Sequence, residues 1–150
     1  LVDPGNGDTG AEHIHGISPT MVSGAPTWRD LWPDVQAMLS GRVFVAHNAS
    51  FDASFIAQES LRVGATYDTM PGLCSYWLAQ QALPEIERHN LEAVTTHLGL
   101  VNRQAHAAEG DTRVVVEALP TLLTRVDRIG HYVAATEPKV RPRDVSHKER

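Results

Sequence analysis

The apolar run Val43-Phe44-Val45-Ala46 is followed at once by His47, Asn48, Ala49 and Ser50, and then by an acid, Asp52, heading a pattern that carries Phe55, Ile56 and Leu61. The run reads as a buried strand over 43–46, and the three-and-four spacing behind it reads as a helix from Asp52 to Val63. Polar side chains crowd the junction between them. A strand that feeds a helix in this way points to an α/β layered domain, with the remaining layers supplied by the rest of the chain.

Upstream, Thr27 and Asp30 resemble a capping box, and Trp28, Leu31, Trp32, Val35, Met38 and Leu39 recur at helical spacing until Gly41 closes the helix. Pro33 falls early enough to be accommodated with a kink. Downstream come a short extended piece around Thr66-Tyr67-Asp68-Thr69-Met70, a helix over 72–81, a loop containing Pro84, and a helix from Asn90 that ends at Gly99. A last helix covers 109–125, with Val114, Val115, Ala118, Leu119, Leu122 and Leu123 as its core face and a bend at Pro120. The opening segment 1–12 alternates Gly and Pro with Asp and Asn, and its acids lack calcium-loop spacing, so it reads as a surface loop. His13 and His15 flank Ile14; without a third ligand nearby, they read as loop residues rather than a metal pair. Residues 1–126 form the expected domain, and 127–150, with two prolines and mixed charges near the end, read as tail or linker. Only two strands are visible in this pattern, too few for the sheet that such a domain needs.

Composition narrows the function classes. The 150 residues suffice for one domain that buries well over half of its unfolded surface. With 13 Lys and Arg against 18 Asp and Glu, the net charge is −5, which argues against a generic nucleic-acid coat protein. An enzyme that reaches phosphate through bound cations is still allowed, because carboxylates hold the metal and the metal supplies the positive charge. Cys74 is the single cysteine, so an intramolecular disulfide and a multi-cysteine zinc site are excluded, and a cytosolic, cytoplasmic setting is expected. Neither an eighteen-residue apolar run nor an export signal is present, so no membrane association is indicated.

Two polar groupings carry chemistry. Asp52, in a first helical turn, has one plain reading as a favourable charge at the positive end of a helix dipole, worth under about 1 kcal/mol. His106 stands five residues before Asp111 where the last helix opens, with the small Ala107 and Ala108 between them, so both side chains can face one cleft. A solvated helix-start histidine is the plain alternative.

Taken in order, the HNxxFD turn after a strand, the extended Tyr67-Asp68-Thr69, the helix start in His89-Asn90-Leu91-Glu92-Ala93-Val94, and the His-x4-Asp spacing from His106 to Asp111 resemble the DnaQ-like DEDDh family of 3′-to-5′ exonucleases, to which the DNA polymerase III epsilon subunit belongs. The resemblance covers about residues 1–125. It implies a ribonuclease-H-like α/β fold and hydrolysis of the terminal phosphodiester at a 3′ end by two divalent ions, Mg²⁺ or Mn²⁺, held about 4 Å apart by carboxylates. By the same resemblance Asp52 and Asp111 are catalytic metal ligands, and His106 is the general base near neutral pH. Asn48, Phe51, His15, Gly16 and Ile17 are the residues expected against the terminal nucleotide. A single-stranded or frayed DNA end is the favoured substrate, RNA is a second possibility, and a DNA polymerase is the expected partner.

One family feature is missing. No Asp-x-Glu pair on an opening strand, followed by Thr-x-Gly, occurs in the chain, and Leu1-Val2-Asp3-Pro4-Gly5 resembles the end of the family's third strand. The expectation is an N-terminally truncated fold, inactive by itself, with the first strands of the central sheet and two of four metal-binding carboxylates lying upstream. Asp3, Asp8 and Glu12 sit in a loop too unconstrained to replace them. The alternative is a non-catalytic module that keeps the fold to bind a 3′ end or a polymerase.

Overall fold

The computed structural model describes residues 1–66, 70–103 and 107–127, and the backbone of 133–135. Two short helices, α1 (Glu12–His15) and α2 (Pro19–Val22), precede α3 (Trp28–Leu39) and strand β1 (Phe44–Ala46). Then come α4 (Ala49–Arg62), β2 (Pro71–Cys74), α5 (Ser75–Ala82), α6 (Leu91–His97), α7 (Ala108–Thr124) and β3 (Val133–Ala135). The strands form a mixed sheet in the order β1-β2-β3. β1 and β2 run parallel, pairing Phe44 with Gly72, Val45 with Leu73 and Ala46 with Cys74, and α4 is part of the crossover that a parallel pair requires. β3 returns antiparallel on the other edge of β2.

Local chemistry explains most boundaries. Thr27 and Asp30 form the anticipated capping box, the Thr27 N–H donating to Asp30 Oδ2 at 2.9 Å while the Asp30 N–H reaches Thr27 Oγ1 at 3.4 Å. Asn90 Oδ1 accepts from the Ala93 N–H at 3.0 Å to start α6. Gly99, at φ 69°, ends that helix: the Leu100 N–H bonds the Thr95 carbonyl at 2.8 Å and the Gly99 N–H bonds that of Thr96 at 3.1 Å, a Schellman closure. α4 turns a face of Ala49, Ala53, Ala57 and Ser60 inward, each at most 1% exposed, and packs on both β1 and β2. The buried Ser60 hydroxyl donates to the Ile56 carbonyl at 2.6 Å and so leaves no orphan.

The main core lies between the sheet and α5, α6 and α7. Leu73, Leu78, Leu83, Val94, Ala118 and Leu122 are among its buried members, with Ala79 and Ala82 filling in from α5 and Leu98, Leu119 and Leu123 packed at its margin. The opposite side is thinner: α3 contains no fully buried residue, and every residue of β1 is half-buried.

Five expectations need correction. The helix expected over 72–81 begins only at Ser75, because Pro71-Gly72-Leu73-Cys74 pairs with β1; Pro71 takes the first strand position, where a missing N–H costs least. α4 starts at Ala49 rather than Asp52, and β1 at Phe44 rather than Val43. The segment read as tail contributes β3, a three-residue strand too short to show periodicity, whose pairing to β2 is a tertiary effect. His13 and His15 lie in a one-turn helix, and Asp3 makes only an isolated bridge to Thr27. Asp68 and its neighbours 67 and 69, and the rest of 128–150, lie outside the described residues.

Leu78 is fully buried at the centre of the core. Its replacement by Ala should cost about 2–5 kcal/mol in a urea unfolding curve, against about 0.5–2 kcal/mol for Thr27→Ala, which removes only a cap. Equal losses would show that the core is not centred where α5, α6 and α7 meet.

Candidate active site

The site grows from the end of β1. Asn48, at φ 66°, is the one non-glycine residue in the left-handed region among the described residues, and it turns the chain from strand to helix. Asparagine tolerates this conformation better than most residues because its short amide bonds locally. Its carbonyl accepts from the Phe51 N–H at 2.8 Å, which closes the first turn of α4. Asp52 is thereby carried into that turn, next to the positive end of the helix.

Asp52 is half-buried. Burial pushes its carboxyl above the usual carboxylate range, and a backbone hydrogen bond offsets this only in part. No ion pair to Asp52 is found among the described residues. The result is an anion in a partly dehydrated position with a helix dipole, and no cationic side chain, to compensate it. Phe51 and Phe55, 59% and 51% exposed, stand beside it with ring centroids 4.9 Å apart.

Asp111 occupies the first turn of α7 and is also half-buried. Its Oδ1 accepts from the Asn102 side-chain amide at 2.7 Å, which fixes the carboxylate's orientation. Asn102 was not singled out in the sequence; nine residues from its partner across a loop, it leaves no periodic signal. His106 lies outside the described residues.

His15 proves to be a loop fastener. One ring nitrogen meets the Thr9 carbonyl at 3.0 Å, and Nδ1 accepts from the Ile17 N–H at 3.0 Å. Both polar atoms are engaged, so its face, with the exposed Gly16 and half-buried Ile17, is what it can offer a ligand. His47 is likewise held, its Nδ1 lying 3.0 Å from Ser75 Oγ. Burial keeps its imidazole below the ordinary range, so the ring is disposed to stay neutral.

The acidic oxygens fit hard divalent ions better than thiolate-seeking metals. Among the described residues, however, no group of three or more His, Cys, Asp or Glu is placed to hold a metal.

The sequence profile of the exonuclease family RNase_T matches residues 3–119. The chain belongs to the DnaQ-like exonuclease family. This exonuclease domain is 35% identical over 126 residues to a DNA polymerase III subunit epsilon-like protein of Rhodobacter capsulatus, an alignment covering 82% of the chain and 18% of that protein. It is 30% identical over 123 residues to DNA polymerase III subunit epsilon of Treponema pallidum, covering 80% of the chain and 57% of the relative. With a PolC-type DNA polymerase III of Clostridium perfringens the identity is 32% over 108 residues, 69% of the chain and 7% of the relative. The exonuclease domain thus spans between 7% and 57% of these relatives' lengths. No helix among its described residues is long and apolar enough to cross a membrane.

The raised pKa of Asp52 sets a pH-dependent stability. A carboxyl that holds its proton more tightly folded than unfolded costs stability as pH rises from its ordinary 3.8 through the raised folded value, and the full cost remains at neutrality. Asp52→Asn keeps the shape without the charge, so it should melt above the wild type at neutral pH and converge with it near about pH 3. A variant no more stable at neutrality would remove the dehydrated-anion description.

Proposed function

We propose that this domain is the catalytic part of a two-metal 3′-to-5′ exonuclease acting on DNA ends. The observation that carries the reading is Asp52: a carboxylate held partly dehydrated in the first turn of α4, uncompensated by any cationic side chain among the described residues, at a strand-to-helix corner. Such a placement costs stability, and a bound cation repays it. Asp111, oriented by Asn102, supplies the second carboxylate from α7. Both are oxygen ligands of the type that Mg²⁺ or Mn²⁺ prefers.

When bound, the ions would supply the Lewis acidity and the activated water for phosphodiester hydrolysis. The chain's own residues do the rest. His106, five residues before Asp111, takes the proton of the attacking water. Phe51 offers an exposed ring on which a terminal base can stack, with Asn48, Gly16 and Ile17 as polar and backbone contacts around it. A negatively charged domain does not hold long DNA by itself, which agrees with action on a single-stranded or frayed end presented by a polymerase; the relatives named as DNA polymerase III subunits support that partner and favour DNA over RNA.

A second reading, a module that binds a 3′ end without cutting it, draws on the lack of a three-ligand cluster among the described residues. The two readings part on whether added carboxylates restore cleavage. We expect the 150-residue chain, given 5′-labelled single-stranded DNA and Mn²⁺, to release only traces of nucleotide, since two carboxylates do not hold a metal pair. Fusing an Asp-x-Glu strand segment from a relative ahead of Leu1 should produce 3′-end laddering. Asp52→Ala or Asp111→Ala should then lower it by at least about 100-fold, a few kcal/mol of transition-state stabilisation. A fusion that binds the labelled strand but never shortens it would favour the binding module.

A further inference from the structure

The buried imidazole of His47 has no role in the chemistry above, and its surroundings give it one. The last backbone register pair of the parallel strands joins Ala46 to Cys74. His47 and Ser75 are the next residues on each chain, where both leave the sheet for helices. Their side chains meet there, Nδ1 to Oγ at 3.0 Å, so a side-chain bond continues the register one step beyond the backbone ladder. Ser75 is 2% exposed, and its hydroxyl also lies 3.4 Å from the Ala46 carbonyl. The Tyr76 ring stands edge-on to the imidazole at 5.6 Å and 81°, which limits its rotation. His47 Nε2 is buried and makes no hydrogen bond of good geometry, with the His89 backbone as its polar neighbour, so burying the ring has a cost that the Ser75 bond helps to offset.

The next residue is Asn48, the left-handed corner, whose side chain caps no backbone N–H of α4 and is tied to that helix only by a long bond from the Ser50 hydroxyl, 3.4 Å from Asn48 Oδ1. A single left-handed residue is strained and persists where its neighbours over-determine it. The His47–Ser75 bond fixes the chain immediately before that corner, and Asp52 follows four residues after it.

We propose that His47 and Ser75 form a positioning pair that locks the ends of β1 and β2 together, holding the Asn48 corner and hence the direction in which Asp52 leaves the sheet. The functional value of the pair rests on the metal-site reading of Asp52; its structural action does not. It acts through Asn48 and touches no reacting atom, so its signature is local order rather than chemistry.

The test is amide hydrogen exchange and ¹⁵N chemical shift, measured without metal on the full 150-residue chain. The Phe51 amide, which bonds the Asn48 carbonyl, is the reporter, and the Leu98 amide, which bonds the Val94 carbonyl in α6, is the control. Ser75→Ala and His47→Leu should each speed exchange at Phe51 by about tenfold or more while leaving Leu98 within about twofold, and should shift the Asn48 resonance. His47→Asn, which keeps a polar atom near the Nδ1 position, should restore most of the protection. The double variant Ser75→Ala with His47→Leu should be no looser than either single change, the mark of one shared interaction. Unchanged Phe51 exchange and Asn48 shift in a folded Ser75→Ala chain would overturn the proposal. If Ser75→Ala does not fold, His47→Asn decides: near-native protection at Phe51 upholds the pair, and loosening as large as that of His47→Leu overturns it. Mn²⁺-induced broadening at Asp52, measured separately in the chain carrying the fused Asp-x-Glu segment, tests the metal reading; its absence there beside an intact exchange result would reject that reading alone.

Discussion

Three residue pairs between β1 and β2 are the contact on which the rest of the molecule depends. A parallel pair of this kind cannot close through a tight turn; it needs a crossover long enough to hold a helix, and α4 is in it. Because both strands run the same way, both deliver their carboxyl ends to the same edge of the sheet, which is where ligands collect in open α/β folds. Asn48, the head of α4 and the head of α5 all lie at that edge. The apolar core between the sheet and α5, α6 and α7 holds β2 in place, so the packing that stabilises the domain also fixes the platform from which Asp52 projects.

How much of this could be read from the residues depends on the range of the interaction involved. The capping box of α3 and the glycine closure of α6 are local, made by side chains and backbone within a few positions of one another, and they stood out in the sequence. The start of α4 was displaced by three residues because Ala49 and Ser50 carry no apolar signal; the backbone turn at Asn48 begins the helix there. β2 hid inside a helical pattern since Pro71-Gly72-Leu73-Cys74 is too short to declare a period, and its strand character comes from β1 twenty-eight residues earlier. β3 was missed for the same reason.

The site divides along the same line. Asp52 and Asp111 were expected in first helical turns and are found there, since acid at a helix start is a sequence signal in its own right. Asn102 and Ser75 gave no such signal; each becomes relevant only through a partner that the fold brings to it. His15 carried a signal for a different reason. Its spacing read as that of a loop residue and only the family resemblance drew it toward the substrate; the structure shows both ring nitrogens spent on holding the loop between Thr9 and Ile17.

The inward face of α4 has a further bearing on how such a domain can vary over time. Ala53 has no exposed surface and lies directly beside Asp52 in the chain. A larger side chain there must lift the helix off the sheet or overpack the contact, and either response displaces the acid next to it. A chemically inert methyl is thus under the same restriction as the carboxylate it adjoins. Drift in sequence should be slow along the whole Ala49, Ala53 and Ala57 stripe, including at positions that never meet a substrate.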